Sequence, residues 1–252
     1  MLKKIKIQGA FKIFAAIIII TGCGAAFIFG KSKSTTAFGV RIPVAYSVCG
    51  IDVSRYQQNI NWAEVAKARE GKDKSYSVSF AFIKATEGQS FVDKHYTSNW
   101  KNSKKNNILR GAYHYYKPNV NSKLQANNFI RTVKLQKGDL PPVLDIEETG
   151  KYGMDNLHRG LQNWLKIIEK HYGVKPIIYC FVDYYDKHFK GKKEYKDYQF
   201  WIAHHNYSSS RVKDKWHFWQ HTDKAKIKGI SGNVCFNVFN GNKKKLQDLC
   251  IK

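Results

Sequence analysis

Two periodicities of apolar and polar residues alternate along this chain from about residue 46 onward. Short runs rich in β-branched and aromatic residues are typical of strands, and longer segments between the first five runs have apolar residues at helical spacing. The predicted strands cover residues 46–54, 77–86, 109–116, 141–148, 176–181, 199–205, 216–223 and 234–241. Loops that are too short or too polar for full helices separate the last three runs.

The clearest helix is predicted from about Asp155 to Tyr172, with Gly173 as its stop. Its apolar residues recur at i, i+4, i+7 and i+11, and these are Leu157, Leu161, Trp164 and Ile168. Alternating strands and helices favour parallel strands joined by right-handed crossovers, in a doubly wound sheet or a barrel. Five strand-helix units followed by three strands give eight strands, the number that closes a barrel filled by its own side chains.

The first thirty residues have a different pattern, with a basic start that ends at Lys12 and an uncharged apolar run of eighteen residues from Ile13 to Gly30. About 17 to 25 apolar residues span a bilayer, whereas a cleaved signal peptide has about 7 to 15. We interpret residues 1–30 as a signal anchor, with a cleaved signal peptide and a lipoprotein signal at Cys23 as open alternatives. All three place the rest of the chain outside the cytoplasm, either membrane-anchored or secreted.

Residues 31–44 are polar and then mixed, without periodicity, and are predicted to be a linker. The remaining residues, 45–252, have the composition of one globular domain. Their cysteines match no metal motif and no disulfide framework, so the sequence predicts neither a metal nor a cofactor. The sequence is silent on oligomeric state, and a monomer is the working expectation.

The chain is strongly basic, with 43 Lys and Arg against 19 Asp and Glu and a formal net charge of +24. Such a charge attracts polyanions of any kind. Export argues against nucleic acid and leaves an anionic membrane or an anionic cell wall. The basic residues are spread over loops and helix faces, as in "KNSKKNN", so a solvated surface explains them better than one dedicated patch.

Three acids mark the ends of two predicted strands. Asp145 and Glu147 are two residues apart, so they share a strand face with Cα atoms about 6.5 Å apart. Two adjacent carboxylates cannot both ionise easily, and the raised pKa of one provides a proton donor near neutral pH. Asp52 ends the first predicted strand in the same way. Acids that face each other across a barrel rim are suited to glycoside hydrolysis. Taken one at a time, each acid could instead belong to a solvated loop at the end of its strand.

Aromatic and histidine side chains also occur at or near predicted strand ends. The aromatic residues are Tyr113, Tyr115, Tyr179, Trp201, Trp216 and Trp219. They could stack on sugars, although core positions are expected for at least half of them. His217 and His221 are four residues apart, which is about 13 Å along a strand and too far for one metal ion to bridge.

Seven motifs in fixed order resemble the family 25 glycoside hydrolases, which are lysozymes acting as N-acetylmuramidases. The motifs are "GIDVSRYQ", "FAFIKATEG", "GAYHYY", "VLDIEE", "WIAHH", "WQHTD" and "ISGNVCFNVFNG". The resemblance covers about residues 49–241 and implies an irregular TIM-like barrel of five β/α units and three further strands. It also implies cleavage of the β-1,4 bond between N-acetylmuramic acid and N-acetylglucosamine in peptidoglycan.

The resemblance assigns roles to individual residues. It implies Glu147 as the general acid, Asp145 as the partner carboxylate that assists the 2-acetamido group, and Asp52 as a supporting acid. Three aromatic residues match positions that line the sugar groove, and these are Tyr115, Tyr179 and Trp201.

One position departs from the family pattern. Family members have an acid just before "FNVFNG", where this chain has Cys235. A thiol with an ordinary pKa of about 8.5 is mostly neutral at pH 7 and cannot replace a carboxylate. Two interpretations stay open: an enzyme with a tolerated substitution, and a catalytically weakened protein that binds cell-wall glycan.

Overall fold

The structure, a computed structural model, describes residues 34–205, 212 and 216–252. The strands are β1 Ser34–Ala37, β2 Val40–Pro43, β3 Cys49–Val53, β4 Arg69–Glu70, β5 Tyr76–Glu87, β6 Phe91–Val92, β7 Leu109–Tyr115, β8 Val143–Asp145, β9 Ile177–Phe181, β10 Gln199–Ala203, β11 Phe218–Ala225 and β12 Val234–Phe239. The helices are α1 Trp62–Lys67, α2 Tyr96–Lys105, α3 Ser122–Thr132, α4 Met154–Tyr172, α5 Val182–His188 and α6 Lys243–Asp248.

Eight of the described strands close into a barrel in the order β3, β5, β7, β8, β9, β10, β11, β12, and β12 pairs back to β3. Neighbours are parallel from β3 round to β11, and only β12 runs antiparallel to both of its neighbours. The predicted irregular α/β barrel is therefore confirmed. Because β3 to β11 run the same way, the carboxyl ends of these strands meet at one rim.

Helix α4 shows how the sequence pattern becomes structure. It begins and ends within a residue of the predicted bounds, and the four apolar residues of the predicted pattern are all buried. Gly173 ends it in the left-handed conformation, at φ 69°, and its N–H donates to the Glu169 carbonyl. Glycine adopts this conformation without steric penalty, which makes it the preferred helix stop.

Alternation along each strand divides the apolar residues between two cores. Residues that face outward, such as Ile83 on β5 and Ile178 on β9, pack with the buried faces of the helices. Residues that face inward, such as Phe82 on β5 and Ile177 on β9, pack with each other inside the barrel. An inward position near the carboxyl end of any strand therefore lies at the rim, directly above the inner core.

Residues 34–43 differ from the predicted linker, because they form an antiparallel hairpin of β1 and β2. Phe38 at its turn is fully buried and its ring lies 5.5 Å from that of Phe236, on the outer side of β12. The Phe38 carbonyl accepts a hydrogen bond from Lys226 N at 2.8 Å. The hairpin packs against the outer side of the barrel at β11 and β12, so the folded unit includes residues well before 45.

The predicted signal anchor, residues 1–30, lies outside the described residues. Within the part of the chain that is described, no helix is both long enough and apolar enough to cross a membrane.

Candidate active site

A cavity of about 310 Å³ opens at the carboxyl-terminal rim of the barrel. Its walls come from strand ends that are distant in sequence and adjacent in the barrel. All three predicted acids line it, namely Asp52 at the end of β3, Asp145 at the end of β8 and Glu147 just beyond. Placing polar side chains above an apolar inner core excludes water from one side of each of them, which strengthens their electrostatic interactions.

Asp145 and Glu147 form the acidic pair of the cavity. Asp145 is 5% exposed, and Ile146 N donates to the Tyr179 carbonyl at 3.0 Å, which continues the strand alternation and keeps Glu147 on the cavity side. Both carboxyl groups line the same cavity, so the ionisation of one opposes the ionisation of the other. Burial raises the pKa of both carboxyls, and the neighbouring negative charge raises that of Asp145 further. The pair therefore titrates together and holds a proton above the pH at which free carboxyls lose theirs.

Asp52 is held in place by two amide side chains. Its Oδ2 accepts hydrogen bonds from Gln220 Nε2 and from Asn237 Nδ2, both at 2.9 Å. Burial raises the pKa of Asp52, while these two donors act in the opposite direction because they favour the charged form. Trp201 Nε1 in turn donates to Asn237 Oδ1 at 2.8 Å, which fixes the orientation of that amide.

Gln220 connects Asp52 to the opposite wall of the cavity. Its Oε1 accepts from the Tyr179 hydroxyl at 3.0 Å and lies 2.8 Å from His205 Nε2. With the amide oxygen occupied in this way, the amide nitrogen is the group that faces Asp52. The sequence distance between Gln220 and Asp52 is 168 residues, so only the closure of the barrel brings them together.

A buried cation lies beside the acidic pair. Lys84 follows Phe82 on the inner face of β5, and its side chain is 12% exposed. Its ammonium group is 2.7 Å from Glu87 Oε2 and 4.8 Å from the centroid of the Tyr115 ring. Burial raises the pKa values of Asp145 and Glu147, and the positive charge of Lys84 lowers them. Lys84 thus reduces the electrostatic repulsion between the carboxylates at this rim.

The family model described as "Glycosyl hydrolases family 25" matches residues 51–230. The chain belongs to this family. It is therefore a glycoside hydrolase, as the fold and the acid cluster at the rim independently suggest.

Individual family 25 relatives agree with this assignment. "Lysozyme M1" of Streptomyces globisporus is 33% identical over 79% of this chain and 70% of its own length. A family 25 glycosyl hydrolase from Bacillus anthracis has a similar structure, with 33% identity, a TM-score of 0.71 and coverage of 81% of this chain and 93% of that chain. The Escherichia coli protein named "Uncharacterized protein YegX" is 45% identical over 85% of this chain and 78% of its own length.

The structure brings together most of the residues predicted for the site of this family 25 enzyme. Tyr115, Tyr179 and Trp201 all line the cavity, but Trp201 is 2% exposed and stacks on Phe82 at 4.5 Å. Trp201 is therefore part of the cavity floor rather than an open platform. Two aromatic candidates lie elsewhere: Trp216 and Trp219 contact Tyr46 outside the barrel.

Glu148 has a structural part in the site. Its Oε1 accepts from the Tyr115 hydroxyl at 3.0 Å and pairs with Lys117 at 2.9 Å, and these contacts lower its pKa. Glu148 is thus an ionised carboxylate that holds Tyr115 at the mouth. It points away from the cavity, as strand alternation predicts, but it is not free of contacts with the site.

Sequence reasoning missed several residues of the site, and four of them make the contacts described above, namely Lys84, His205, Gln220 and Asn237. Three of them lie within the family motifs "FAFIKATEG", "WIAHH" and "WQHTD", and Asn237 follows Cys235 in the last motif. The usable signal was strand alternation: Lys84 is two residues after Phe82 and Gln220 is two residues after Phe218. Polar residues at the last inward position of a strand are candidates for the site.

Cys235 lies directly opposite Asp52 in the β12 and β3 pairing and lines the same cavity. Burial and the negative charge of Asp52 raise the pKa of the thiol, so it stays neutral. The neutral thiol acts on Asp52 in the direction that lowers the pKa of that carboxyl, which favours its ionised form. Cys235 is one of four free cysteines among the described residues, the others being Cys49, Cys180 and Cys250.

Proposed function

We propose that this chain hydrolyses peptidoglycan at the β-1,4 bond between N-acetylmuramic acid and N-acetylglucosamine. The observation that carries the proposal is the placement of Asp145, Glu147 and Asp52 around one cavity of about 310 Å³ at the carboxyl-terminal rim of the barrel. The family 25 membership and the relative named "Lysozyme M1" support this substrate. The net charge of +24 supports attraction to an anionic wall.

In the proposed reaction Glu147 is the general acid. It lies at the mouth of the cavity, nearer to solvent than Asp145, and burial raises its pKa, which favours the protonated form that a general acid needs. That proton passes to the glycosidic oxygen as the bond to the anomeric carbon breaks. The N-acetylglucosamine leaves with a free 4-hydroxyl.

Asp145 acts in the proposed reaction as the partner carboxylate. The carbonyl oxygen of the substrate's own 2-acetamido group attacks the anomeric carbon, and the positive charge that develops on the amide is stabilised by Asp145. Asp145 lines the cavity, so its carboxylate can accept a hydrogen bond from the acetamido N–H. Asp52, fixed by Gln220 and Asn237, supports the pair as a nearby negative charge.

A turbidity assay tests the proposal. The full-length chain is added to purified peptidoglycan over a range from about pH 4 to about pH 8, with Glu147→Gln as the control. The proposal predicts clearing by the wild type and none by the variant. Absence of clearing by the wild type at every pH would overturn it.

A second function is favoured by Cys235 alone. The resemblance implies an acid at this position, and a neutral thiol removes one negative charge from the cluster. A protein weakened in this way would bind wall glycan without cutting it. Co-sedimentation with peptidoglycan in the absence of new reducing ends would favour this function over hydrolysis.

We also propose that residues 1–30 keep the domain outside the cytoplasm, at the membrane. The proposal rests on the apolar run from Ile13 to Gly30. Cell fractionation and mass spectrometry of the N-terminus test it. An intact N-terminus in the membrane fraction supports an anchor, whereas a shortened soluble form or a lipid on Cys23 supports the alternatives.

A further inference from the structure

A second cleft adjoins the catalytic cavity and is lined by cations. It lies between the loop after β3 and the segment formed by β6 and the residues that join β6 to α2, and its volume is about 660 Å³. Tyr56 lines both spaces, so the cleft and the cavity share a wall. The described residues that line the cleft include Arg55 and Lys94 and no acidic residue.

The guanidinium group of Arg55 is held between two aromatic rings. Its Cζ lies 5.3 Å from the centroid of the Tyr56 ring and 5.0 Å from that of Phe91. Aromatic contacts of this kind restrain a long side chain through the faces of the guanidinium group, so its N–H edge can still bind a ligand. Arg55 makes no salt bridge within the described residues, and an edge of this type suits a carboxylate.

The walls of the cleft are fixed by the protein itself. Asp93 is 2% exposed, and its two oxygens accept from Arg55 N at 2.8 Å and from His95 N at 2.9 Å. Ser54 and Gln57 form a reciprocal capping box at the start of the short helical turn that includes Arg55. Asp93 thus connects the wall that contains Arg55 to the wall that contains His95. Its carboxylate accepts from backbone N–H groups and is not part of the cleft lining.

Phe91 lies between the cleft and Lys84 of the catalytic cavity. The Lys84 ammonium lies 5.8 Å from the centroid of the Phe91 ring, on which Arg55 also rests. Lys84 is paired with Glu87, so the cations available to a ligand in this direction are Arg55 and Lys94 in the lining of the cleft. An anionic group that leaves the cavity in this direction moves away from the carboxylates and toward cations.

The chemistry of the substrate supplies such a group. Cleavage on the reducing side of muramic acid places that sugar next to Glu147, and the lactyl ether of muramic acid carries a peptide with free carboxylates. This peptide has to leave the cavity beside the reacting sugar. We propose that the Arg55–Lys94 cleft binds the acidic peptide of the substrate, an inference that rests on the proposed function.

Direct binding to the full-length Glu147→Gln protein tests this assignment separately from hydrolysis. Calorimetry is done with a N-acetylglucosaminyl-N-acetylmuramic acid disaccharide, with the same disaccharide bearing an acidic peptide, and with that peptide amidated at each carboxylate. The acidic peptide is expected to tighten binding about tenfold over the amidated form, since this is the effect of one charge-assisted hydrogen bond. Adding Arg55→Gln should abolish that preference.

Lys166→Gln is the matched control, because Lys166 is exposed on α4 and the charge change is the same. It should keep the tenfold preference, and Arg55→Lys should keep part of it because the charge remains while the planar edge is lost. Equal affinity for the acidic and amidated peptides would overturn the inference. So would an Arg55→Gln substitution that weakens binding of the peptide-free disaccharide as much as it weakens binding of the acidic peptide. Hydrolysis by the wild type together with equal binding of the two peptides would contradict only the assignment of the cleft. Tighter binding of the acidic peptide without hydrolysis by the wild type would contradict only the proposed function.

Discussion

The barrel interior has two layers with opposite properties, built from the same strands. The lower layer contains phenylalanine rings, among which the centroid of Phe218 lies 5.3 Å from that of Phe80, 5.1 Å from that of Phe82 and 5.0 Å from that of Phe239. The upper layer contains Lys84 and Gln220, each only two residues farther along a strand. Successive inward-facing residues of one strand therefore belong first to the stabilising core and then to the candidate active site.

The two layers contribute differently to folding. Phe82 and Phe218 are fully buried and remove apolar area from water without leaving a polar atom unpaired. Asp145 above them is buried with one oxygen lacking a hydrogen-bond partner among the described residues. Burying a polar atom in this way costs free energy, and such costs collect at functional sites. The predictions below separate the layers by activity and by stability.

The largest effect is expected in the upper layer, from Glu147→Gln. Removal of the proposed proton donor should lower the rate of reducing-end release by about 10³-fold, the range typical of general acids, with little change in the melting temperature. Glu148→Gln is the matched control, since Glu148 faces Tyr115 and Lys117 instead. A greater loss in Glu148→Gln than in Glu147→Gln would reverse the assignment of the two acids.

The lower layer is expected to respond in stability. Phe82→Ala should lower the free energy of unfolding by about 3–5 kcal/mol, because a fully buried ring leaves a cavity. Leu124→Ala, at a position that is 48% exposed on α3, should cost far less. Urea unfolding of the full-length chain measures both. Equal effects of the two substitutions would mean that the inner core does not support the barrel.

Gln220→Met tests the connection between the cavity walls. Loss of the donor to Asp52 should lower kcat/KM by about 10- to 100-fold, from the free energy of a hydrogen bond to a charged group. The pKa of Asp52 should rise, because the donor favours the charged form, so the acid limb of the pH profile should move upward. Gln247→Met on the exposed face of α6 is the control. A uniform loss without a shifted limb would indicate a structural role only.

Asp145→Asn should stabilise the protein at neutral pH while lowering activity. The pKa of Asp145 is raised in the folded state, so ionising this group opposes folding above the ordinary carboxyl pKa and has no effect below it. The melting temperature of the variant should therefore exceed that of the wild type at about pH 8, by about 2–4 °C for each kcal/mol, and the difference should vanish near pH 3. Destabilisation at pH 8 would contradict the burial argument.

Cys235→Asp should have the smallest effect. The added negative charge beside Asp52 should raise the pKa values of the remaining acids and move the pH optimum upward by less than about one unit, with activity kept or increased. The pH dependence of reducing-end release measures this. Activity that appears only in the variant would favour glycan binding as the function of the wild type.

The sequence predicted the eight barrel strands and the pair Asp145 and Glu147 because both depend on local patterns. Strand alternation and the Asp-Ile-Glu spacing are visible within a few residues. The network around Asp52 was not predictable in this way, since Gln220 and Asn237 are 168 and 185 residues away and meet Asp52 only when β12 closes the barrel. Individual polar residues in those strands look like ordinary surface positions.

The hairpin of β1 and β2 was missed for another reason. Each strand has four residues, too few to show a period, and the hairpin contacts β11 and β12 near the other end of the chain. Trp201 was predicted as a sugar-binding residue because aromatic residues occur both in cores and in sugar sites. Its burial depends on stacking with Phe82 across the barrel, which the sequence does not show.

The most direct test of the central claim is the chemical identity of the ends that the full-length chain produces. Purified peptidoglycan is digested, the new reducing ends are reduced with borohydride, and the fragments are identified by mass spectrometry. The proposed roles of Glu147 and Asp145 in the upper layer predict fragments that end in reduced N-acetylmuramic acid, and none with Glu147→Gln. Fragments that end in reduced N-acetylglucosamine, or bound protein with no new ends, would contradict the account.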